Sequence, residues 1–440
     1  MTHSAMSRHP ASRCAAAKSI HAKLASSLFG LALSAFAVAA LPAGGACAET
    51  GLTEVTLHQD QAEVDGVPLI TVSIAEQRLR YYSGTHLVTD SNISSGKAGH
   101  STPKGIYSIL EKKRMHRSNL YDDAPMPFMQ RLTWSGIALH ESRHVPAYPA
   151  SHGCVRMPGD FAKELFSMTE RGVHVVISEE VSEPRPISHA ALFQPGSEPK
   201  VVAALRDTMG GIPGVGPGVG TDAMPEVAAE LPDPDRPLRI YITRTTKRDE
   251  VRHLQEMLIH AGFDTGGADG LYGRKTVSAV IDFQKDTGLQ PTGTMTDELL
   301  ASLQQATAAG PLPAARLYVR RGHEPVFEAA VQVRDAAEPL GTQLFIAAND
   351  PKDAERLSWT ATAIASRIPA AIIRDHQLAV DDPAELVHTQ PSLTLDRLTI
   401  DKETRQRIEA ILVAGSSLIV SDNGWGFETG KGTDFIVPLR

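Results

Sequence analysis

No regular secondary structure can run through residues 210–220. The run Gly210-Gly211-Ile212-Pro213-Gly214-Val215-Gly216-Pro217-Gly218-Val219-Gly220 combines backbone freedom with missing amide donors. Neither a helix nor a central sheet strand survives that chemistry, so the stretch reads as a tether. A chain broken in this way folds as blocks on either side. At 440 residues, about two to four domains are expected. The hydrophobic period places them at 67–178, 247–305 and 313–440, with a Pro/Gly-rich linker at 179–240.

The first 48 residues form a separate segment. They contain no Asp or Glu and four basic residues, Arg8, Arg13, Lys18 and Lys23. An uncharged, mostly apolar run follows at 24–41, and then Pro42, two glycines and Ala46-Cys47-Ala48. A charged start, an apolar middle and an A-x-A exit are the order of a secretory signal. Cleavage near Ala48 and a periplasmic destination are expected. A retained membrane anchor or a lipoprotein site at Cys47 are the other readings, and they too place the rest outside the cytoplasm. Of three cysteines, Cys14, Cys47 and Cys154, only Cys154 survives cleavage. Exported thiols are normally oxidised into pairs, so a single one invites a reactive role. Its alternative is a small buried hydrophobe.

The acidic balance, 43 Lys and Arg against 51 Asp and Glu, argues against a nucleic-acid partner, because no basic surplus exists to neutralise phosphates. No P-loop, paired CxxC or HExxH is present, so neither a nucleotide nor a metal is implied.

Residues 67–178 alternate as short strands: Ile70 to Ile74, Leu79 to Tyr82, Gly105 to Leu110 and Val173 to Ile177. One helix carries Phe161, Leu165, Phe166 and Met168 on a face, with Gly172 suited to its C-terminal cap. From 249 to 304 the period turns helical. Val251, Leu254 and Leu258 form one face, Val277, Val280 and Ile281 a second, and Leu299, Leu300 and Leu303 a third. From 317 onward strand-like runs return.

A weak internal repeat is visible there. Arg78 to Gly84 resembles Arg316 to Gly322, Thr102 to Gly105 resembles Glu338 to Gly341, Leu132 to Trp134 resembles Leu357 to Trp359, and Gly172 to Ser178 resembles Gly415 to Ser421. The C-terminal block, α/β or β-rich, is expected to be either a degenerate copy of the first domain, without its cysteine, or a coincidence of short β motifs.

The chemistry concentrates at Ser151-His152-Gly153-Cys154-Val155-Arg156. A thiol attacks as thiolate, and nearby cations or dipoles raise that fraction. His140 ends the apolar stretch Ile137-Ala138-Leu139. A strand there, followed by a turn through Pro146 and Pro149, would return Cys154 to its side as a nucleophile and base. Successive N–H groups at Gly153 and Cys154 could bind an oxyanion.

These residues resemble a known signature. His140 followed by Tyr148-Pro149-Ala150-Ser151-His152-Gly153-Cys154-Val155-Arg156-Met157-Pro158 is similar to the L,D-transpeptidases of the YkuD type. Thr102-Pro103-Lys104-Gly105-Ile106-Tyr107 resembles their TPxG-aromatic motif, and Met126-Pro127-Phe128 the segment before their histidine strand. Val251 to Gln255, Gly262-Phe263, Asp269 to Gly273, Thr276, Phe283-Gln284 and Gly288-Leu289 resemble the three-helix peptidoglycan-binding domain. Glu428-Thr429-Gly430-Lys431 resembles tails of α-proteobacterial relatives, and no chemistry attaches to it.

The resemblance implies a β-sandwich-like catalytic domain, a small all-α wall-binding domain, and peptidoglycan stem peptides as substrate. It implies Cys154 as nucleophile and His140 as base. His152, Gly153 and the Cys154 backbone would form the oxyanion region, and Ser151 and Arg156 would lie on the substrate side. It implies no cofactor, and sensitivity of Cys154 to carbapenems. Two positions depart from the pattern. Glu141 either disfavours the thiolate or points to solvent, and Ala147 stands where glycine is expected. Transfer to water, attachment of an outer-membrane protein to the wall, and wall binding without catalysis are the alternatives. Deletion of 317–440 is expected to spare acylation.

Overall fold

The computed structural model describes residues 66–118, 123–196 and 235–440. The expected signal segment and the Gly/Pro run at 210–220 lie outside these residues. The described chain is β-rich and multidomain, as expected, with a helical block inserted into the second of two sheet-bearing parts.

The first part begins with β1 (Pro68–Ser73), β2 (Arg78–Ser83), β3 (His86–Asn92) and β4 (Gly105–Ser108). Next come β5 (Glu111–Arg117), β6 (Pro125–Arg131), β7 (Ala138–Glu141) and β8 (Val155–Met157), which form a separate four-stranded sheet in the order β5-β6-β7-β8. Helix α1 (Gly159–Met168), β9 (His174–Ser178) and β10 (Pro184–Ile187) complete it. Gly172 does not cap α1. The helix ends at Thr169 in extended backbone, and the Thr169 hydroxyl donates to the Leu165 carbonyl at 2.8 Å, closing the last turn itself. Gly172, at φ +89°, instead makes the turn into β9.

The second part opens with β11 (Leu238–Arg244). Helices α2 (Lys247–His260), α3 (Arg274–Asp286) and α4 (Asp297–Thr307) interrupt it. It continues with β12 (Ala315–Arg321), β13 (Glu324–Val333), β14 (Thr342–Asp350) and β15 (Asp353–Ile364). Helices α5 (Ala370–Asp375) and α6 (Pro391–Asp396), strand β16 (Leu398–Thr399), helix α7 (Lys402–Glu409), β17 (Ser417–Ser421) and β18 (Val437–Pro438) follow.

The repeat is visible in the topology. One sheet runs β18-β4-β9-β1-β2-β3 and the other contains β14-β17-β11-β12-β13. In both, the founding strand is antiparallel to the strand of its hairpin (β1 with β2, β11 with β12). It is parallel to the late strand, β9 or β17, which pairs antiparallel with β4 or β14. Even the irregularity recurs, between Tyr81 and Tyr82 in one hairpin and between Val319 and Arg320 in the other. Arg78 to Gly84 and Gly172 to Ser178 match their partners as expected. The match of Gly105 with Gly341 slips by two residues, because Gly105 faces Ile177 where Gln343 faces Val420. Trp134 and Trp359 do not correspond. Trp134 lies in the turn after β6, outside the main sheet, whereas Trp359 is central in β15.

Two boundaries differ from expectation. The second sheet starts at Leu238, before the helical block, so the C-terminal part is not confined to 313–440. The stretch 181–196 is not tether either. Pro184 to Ile187 pair with β15, and Leu192 and Phe193 are buried in the second core. Prolines suit this strand because it is a sheet edge, where one row of donors has no ladder to serve. The two parts thereby exchange strands. β10, at the end of the first, extends the second sheet, while β18, at the end of the second, extends the first beside β4.

The period-2 alternation of β1 sends Ile70 and Val72 into the core under the four-stranded sheet and Leu69 into a core shared by both parts. Leu69, Ile106 and Val176 meet Tyr241, Leu344 and Ile419 there, joined by Phe435, Val437 and Leu439 of the tail. The two sheets therefore pack face to face. A buried polar group crosses beside that core. Asp434 accepts from Arg239 at 3.1 Å and lies 3.1 Å from His323 Nδ1. Burial pushes its carboxyl up, but Arg239, His323 and His174 overcome that and hold it well below the usual carboxylate range.

The helical block has its own core, including Leu254, Leu258, Val280, Phe283, Leu299 and Leu303. A capping box of Thr246 and Asp249 starts α2.

Candidate active site

Strands β7 and β8 build the site. They run parallel, with His140 opposite Arg156 and Leu139 opposite Val155. Leu139, Val155 and Met157 face the apolar core. Alternation then puts Ala138, His140, Cys154 and Arg156 on the other face, and the last three line a cleft of about 660 Å³. The strand-and-return arrangement expected for His140 and Cys154 is thus present.

His140 is buried, and its Nδ1 lies 2.7 Å from the Glu141 carbonyl. A carbonyl only accepts, so Nδ1 carries the proton and Nε2 presents a lone pair. Burial lowers the imidazole pKa to about 4, with Arg156 adding to the effect. Burial also pushes the Cys154 thiol up, while a hydrogen bond from the Ala138 backbone and the charges of Arg131 and Arg156 pull it back. The Cys154 Sγ–H donates to the Gly136 carbonyl at 3.4 Å. At neutral pH the resting pair is therefore neutral thiol and neutral imidazole, and the proton must move as the sulfur attacks.

The cysteine turn is held internally. Ser151 is buried. Its hydroxyl donates to the Cys154 carbonyl at 2.5 Å and accepts from the Gly153 N–H at 3.1 Å. Ser151 therefore positions the turn instead of reaching substrate, and the Gly153 N–H is already engaged. Gly153 sits at φ +118°, where an added Cβ would also meet Ile137 Cδ1 at 3.1 Å. Thr102, from the TPxG segment, donates to the Gly153 carbonyl and accepts from the Gly96 N–H, both at 2.8 Å. His152 is exposed and contacts the His100 ring edge-on, with centroids 4.9 Å apart. Its pKa is lowered by partial desolvation and by Lys97, His100 and Arg156. Among the described residues no carboxylate pairs with Arg156, so its guanidinium is available to an anionic group in the cleft.

Of the two departures from the motif, Glu141 lines the same cleft but is not among the groups that act on the Cys154 thiol. The Glu141 carboxylate packs against Gly159 at the start of α1, a position that favours an anion. Ala147 is exposed and has no positive φ.

Sequence reasoning missed three contributors. Gly136 supplies the acceptor for the thiol, Ala138 the donor to the sulfur, and Arg131 a neighbouring charge. Arg131 also lines a second hollow of about 240 Å³, with His116, Trp134 and Ser135, which shares Gly136 with the main cleft. Only the position of Gly136, two residues before the strand that carries His140, hinted at this.

Residues 68–177 match the L,D-transpeptidase catalytic domain family (YkuD), and residues 247–303 match the peptidoglycan binding domain family. The chain therefore carries a YkuD-type L,D-transpeptidase catalytic domain together with a peptidoglycan-binding domain. Among solved structures, the L,D-transpeptidase from Mycobacterium smegmatis is 20% identical over 25% of this chain and 58% of its own, with a TM-score of 0.24. The L,D-transpeptidase from Xylanimonas cellulosilytica is 26% identical over 26% and 60%, with a TM-score of 0.24. That from Stackebrandtia nassauensis is 25% identical over 27% and 57%, with a TM-score of 0.24. The chain thus spans less than two thirds of the length of these solved relatives. No curated protein matches it.

Proposed function

We propose that this protein is an exported L,D-transpeptidase that forms 3→3 cross-links in peptidoglycan. The observation that carries this reading is the shared face of Cys154 and His140, with Nε2 of His140 presented and the sulfur held at the edge of the cleft. Cys154 attacks the carbonyl at the L-centre of the meso-diaminopimelate in a tetrapeptide stem while His140 Nε2 takes the thiol proton. The carbon–nitrogen bond to D-Ala breaks, and that proton goes to the departing amine. A thioester to Cys154 remains. The amine at the D-centre of a second stem then attacks, His140 removes its proton, and the thiolate leaves and is reprotonated.

Because the Gly153 N–H is held by Ser151, the Cys154 N–H is the better placed of the two for the oxyanion. Arg156 takes a stem carboxylate. One amide replaces another, so no nucleotide is consumed. The helical domain holds the enzyme on its polymer. Among the described residues no helix is long and apolar enough to cross a membrane, and the signal-like segment at 1–48 accounts for export.

Intact mass after incubation with a disaccharide-tetrapeptide and a second stem as acceptor tests this. A Cys154 adduct and a dimer lacking one D-Ala are expected. Loss of D-Ala without a dimer would indicate transfer to water. A dimer absent with stems but formed with a polypeptide amine would indicate protein attachment to the wall. No reaction at all would leave a wall-binding protein.

A further inference from the structure

The C-terminal tail reaches the catalytic domain at one buried carboxylate. Glu428 is 6% exposed, and among the described residues no cation forms an ion pair with it. A buried carboxylate without donors is costly. Its donors are two successive backbone amides: Trp134 N–H at 2.6 Å and Ser135 N–H at 2.9 Å. Converging amides of this kind form a cradle for an anion. Trp134 Nε1 adds a bond to the Lys431 carbonyl at 2.9 Å. The tail side is itself fixed. Thr433 donates to the Glu428 carbonyl at 2.7 Å, the Ile436 N–H donates to the Thr429 hydroxyl at 3.0 Å, and β18 then joins the catalytic sheet beside β4.

The clamped turn leads directly to the sulfur. Thr133 Oγ1 accepts from the Ile137 N–H at 3.0 Å, and Gly136 takes φ +111°. The Gly136 carbonyl holds the thiol, and two residues on the Ala138 N–H holds the thiolate.

We propose that Glu428 is a positioning residue for Cys154, acting across 294 residues of sequence by anchoring the Trp134 turn. The proposal rests on the reading of Cys154 as nucleophile. It makes the catalytic unit composite, completed by the tail of the second part. The charged groups that act on the sulfur are Arg131 of β6 and Arg156 of β8; His140 of β7 shares its face, and Glu141, Arg143, His144 and His152 line the same cleft. Glu428 is not among the groups acting directly on it, so its influence runs through the turn.

The test uses the full chain with Glu428→Ala and Glu428→Gln. Iodoacetamide alkylation, read at Cys154 by peptide mass, gives a pH profile. D-Ala release from a disaccharide-tetrapeptide gives kcat and KM, and thermal melting reports folding. For Glu428→Ala the alkylation midpoint is expected to move up, because the Ala138 donor is loosened. The kcat is expected to fall about 10- to 100-fold, the scale of a small misplacement of reacting groups, with KM changed much less. Glu428→Gln keeps one acceptor oxygen and should lie between Glu428→Ala and the parent. A folded Glu428→Ala with the parent's profile and kcat overturns the proposal. Should that variant not fold, a parent-like profile in Glu428→Gln overturns it instead. A moved profile in a protein that never releases D-Ala upholds the positioning role and sinks the transpeptidase reading.

Discussion

His174 and Ser417 occupy equivalent places in the two halves of the molecule and meet across the interface, His174 Nε2 to Ser417 Oγ at 3.0 Å. Each pairs in parallel with its own founding strand, His174 opposite Leu69 and Ser417 opposite Arg239. Burial lowers the His174 pKa to about 3, and Arg239 adds to it. The unfolded chain takes up a proton near pH 6.5 that the folded chain refuses. Stability from this group is thus full above that pH and is lost as pH falls toward about 3. The slope approaches about 1.4 kcal/mol per pH unit. His140, lowered to about 4, acts in the same direction. Urea unfolding at pH 7, 5.5 and 4.5 should show falling stability, with a shallower fall in His174→Gln. An unchanged slope in that variant removes His174 from the account.

Exchange of β10 and β18 makes each part depend on the other. The expectation that the C-terminal block is dispensable for acylation does not fit this arrangement. Without β18 the β4 edge is bare, and without the second sheet Leu69, Ile106 and Val176 face water. Bare edges and large apolar faces aggregate. A fragment of residues 66–196 is expected to be insoluble or loosely folded, and a chain ending at residue 424 to lose most D-Ala release. Gel filtration and D-Ala assay check this. A monomeric, active fragment would show that the exchanged strands are ornament.

The neutral thiol and imidazole predict a distinctive pH response. Burial raises the thiol and lowers His140, so no inflection near pH 6.5 should appear in D-Ala release. Cys154→Ala should lose turnover and keep its melting temperature. His140→Ala should lose about 10²- to 10⁴-fold at neutral pH, the usual contribution of a positioned base. That loss should shrink above the thiol pKa, where solution hydroxide supplies the thiolate. A constant ratio across pH would mean that His140 does something other than take the proton.

The proposed nucleophile, the proposed base and the helical block were legible in the sequence because each is local. SHGC is a single turn, His140 lies on a short strand, and a 3.6 period needs only one helix to be seen. Glu428 was visible only as part of a tail without chemistry, since its meaning depends on Trp134 and Ser135 in a turn made by another part of the fold. The stretch 181–196 was misread because prolines look like tether until an edge strand explains them. The repeat could be glimpsed in β2 and β12, whose short motifs align. Its start was hidden, because the helical block separates β11 from its hairpin partner.

That separation leads to the last prediction. The helical block is an insertion whose ends meet: the Thr245 N–H donates to the Ala314 carbonyl at 3.2 Å, directly between β11 and β12. Its core is its own. The contacts it makes with the sheet include Tyr318, whose hydroxyl lies 3.3 Å from the Asp249 carboxylate, and Arg252 to Glu328. The partly exposed Arg252–Glu328 pair contributes little, and the buried Asp249 leaves with the block, while Arg316 keeps Glu328 as a partner. Replacing residues 246–313 by a short Gly-rich turn should therefore restore an ordinary hairpin, with melting close to the parent's. Turnover of soluble stem peptides should persist within about threefold, because no residue of the cleft comes from the block. Retention on insoluble peptidoglycan should drop sharply, and with it cross-linking of intact wall. Sedimentation with purified sacculi, beside D-Ala release from soluble stems, separates the two effects. Undiminished sedimentation of the excised protein would place wall binding elsewhere, with the cleft itself the first surface to suspect.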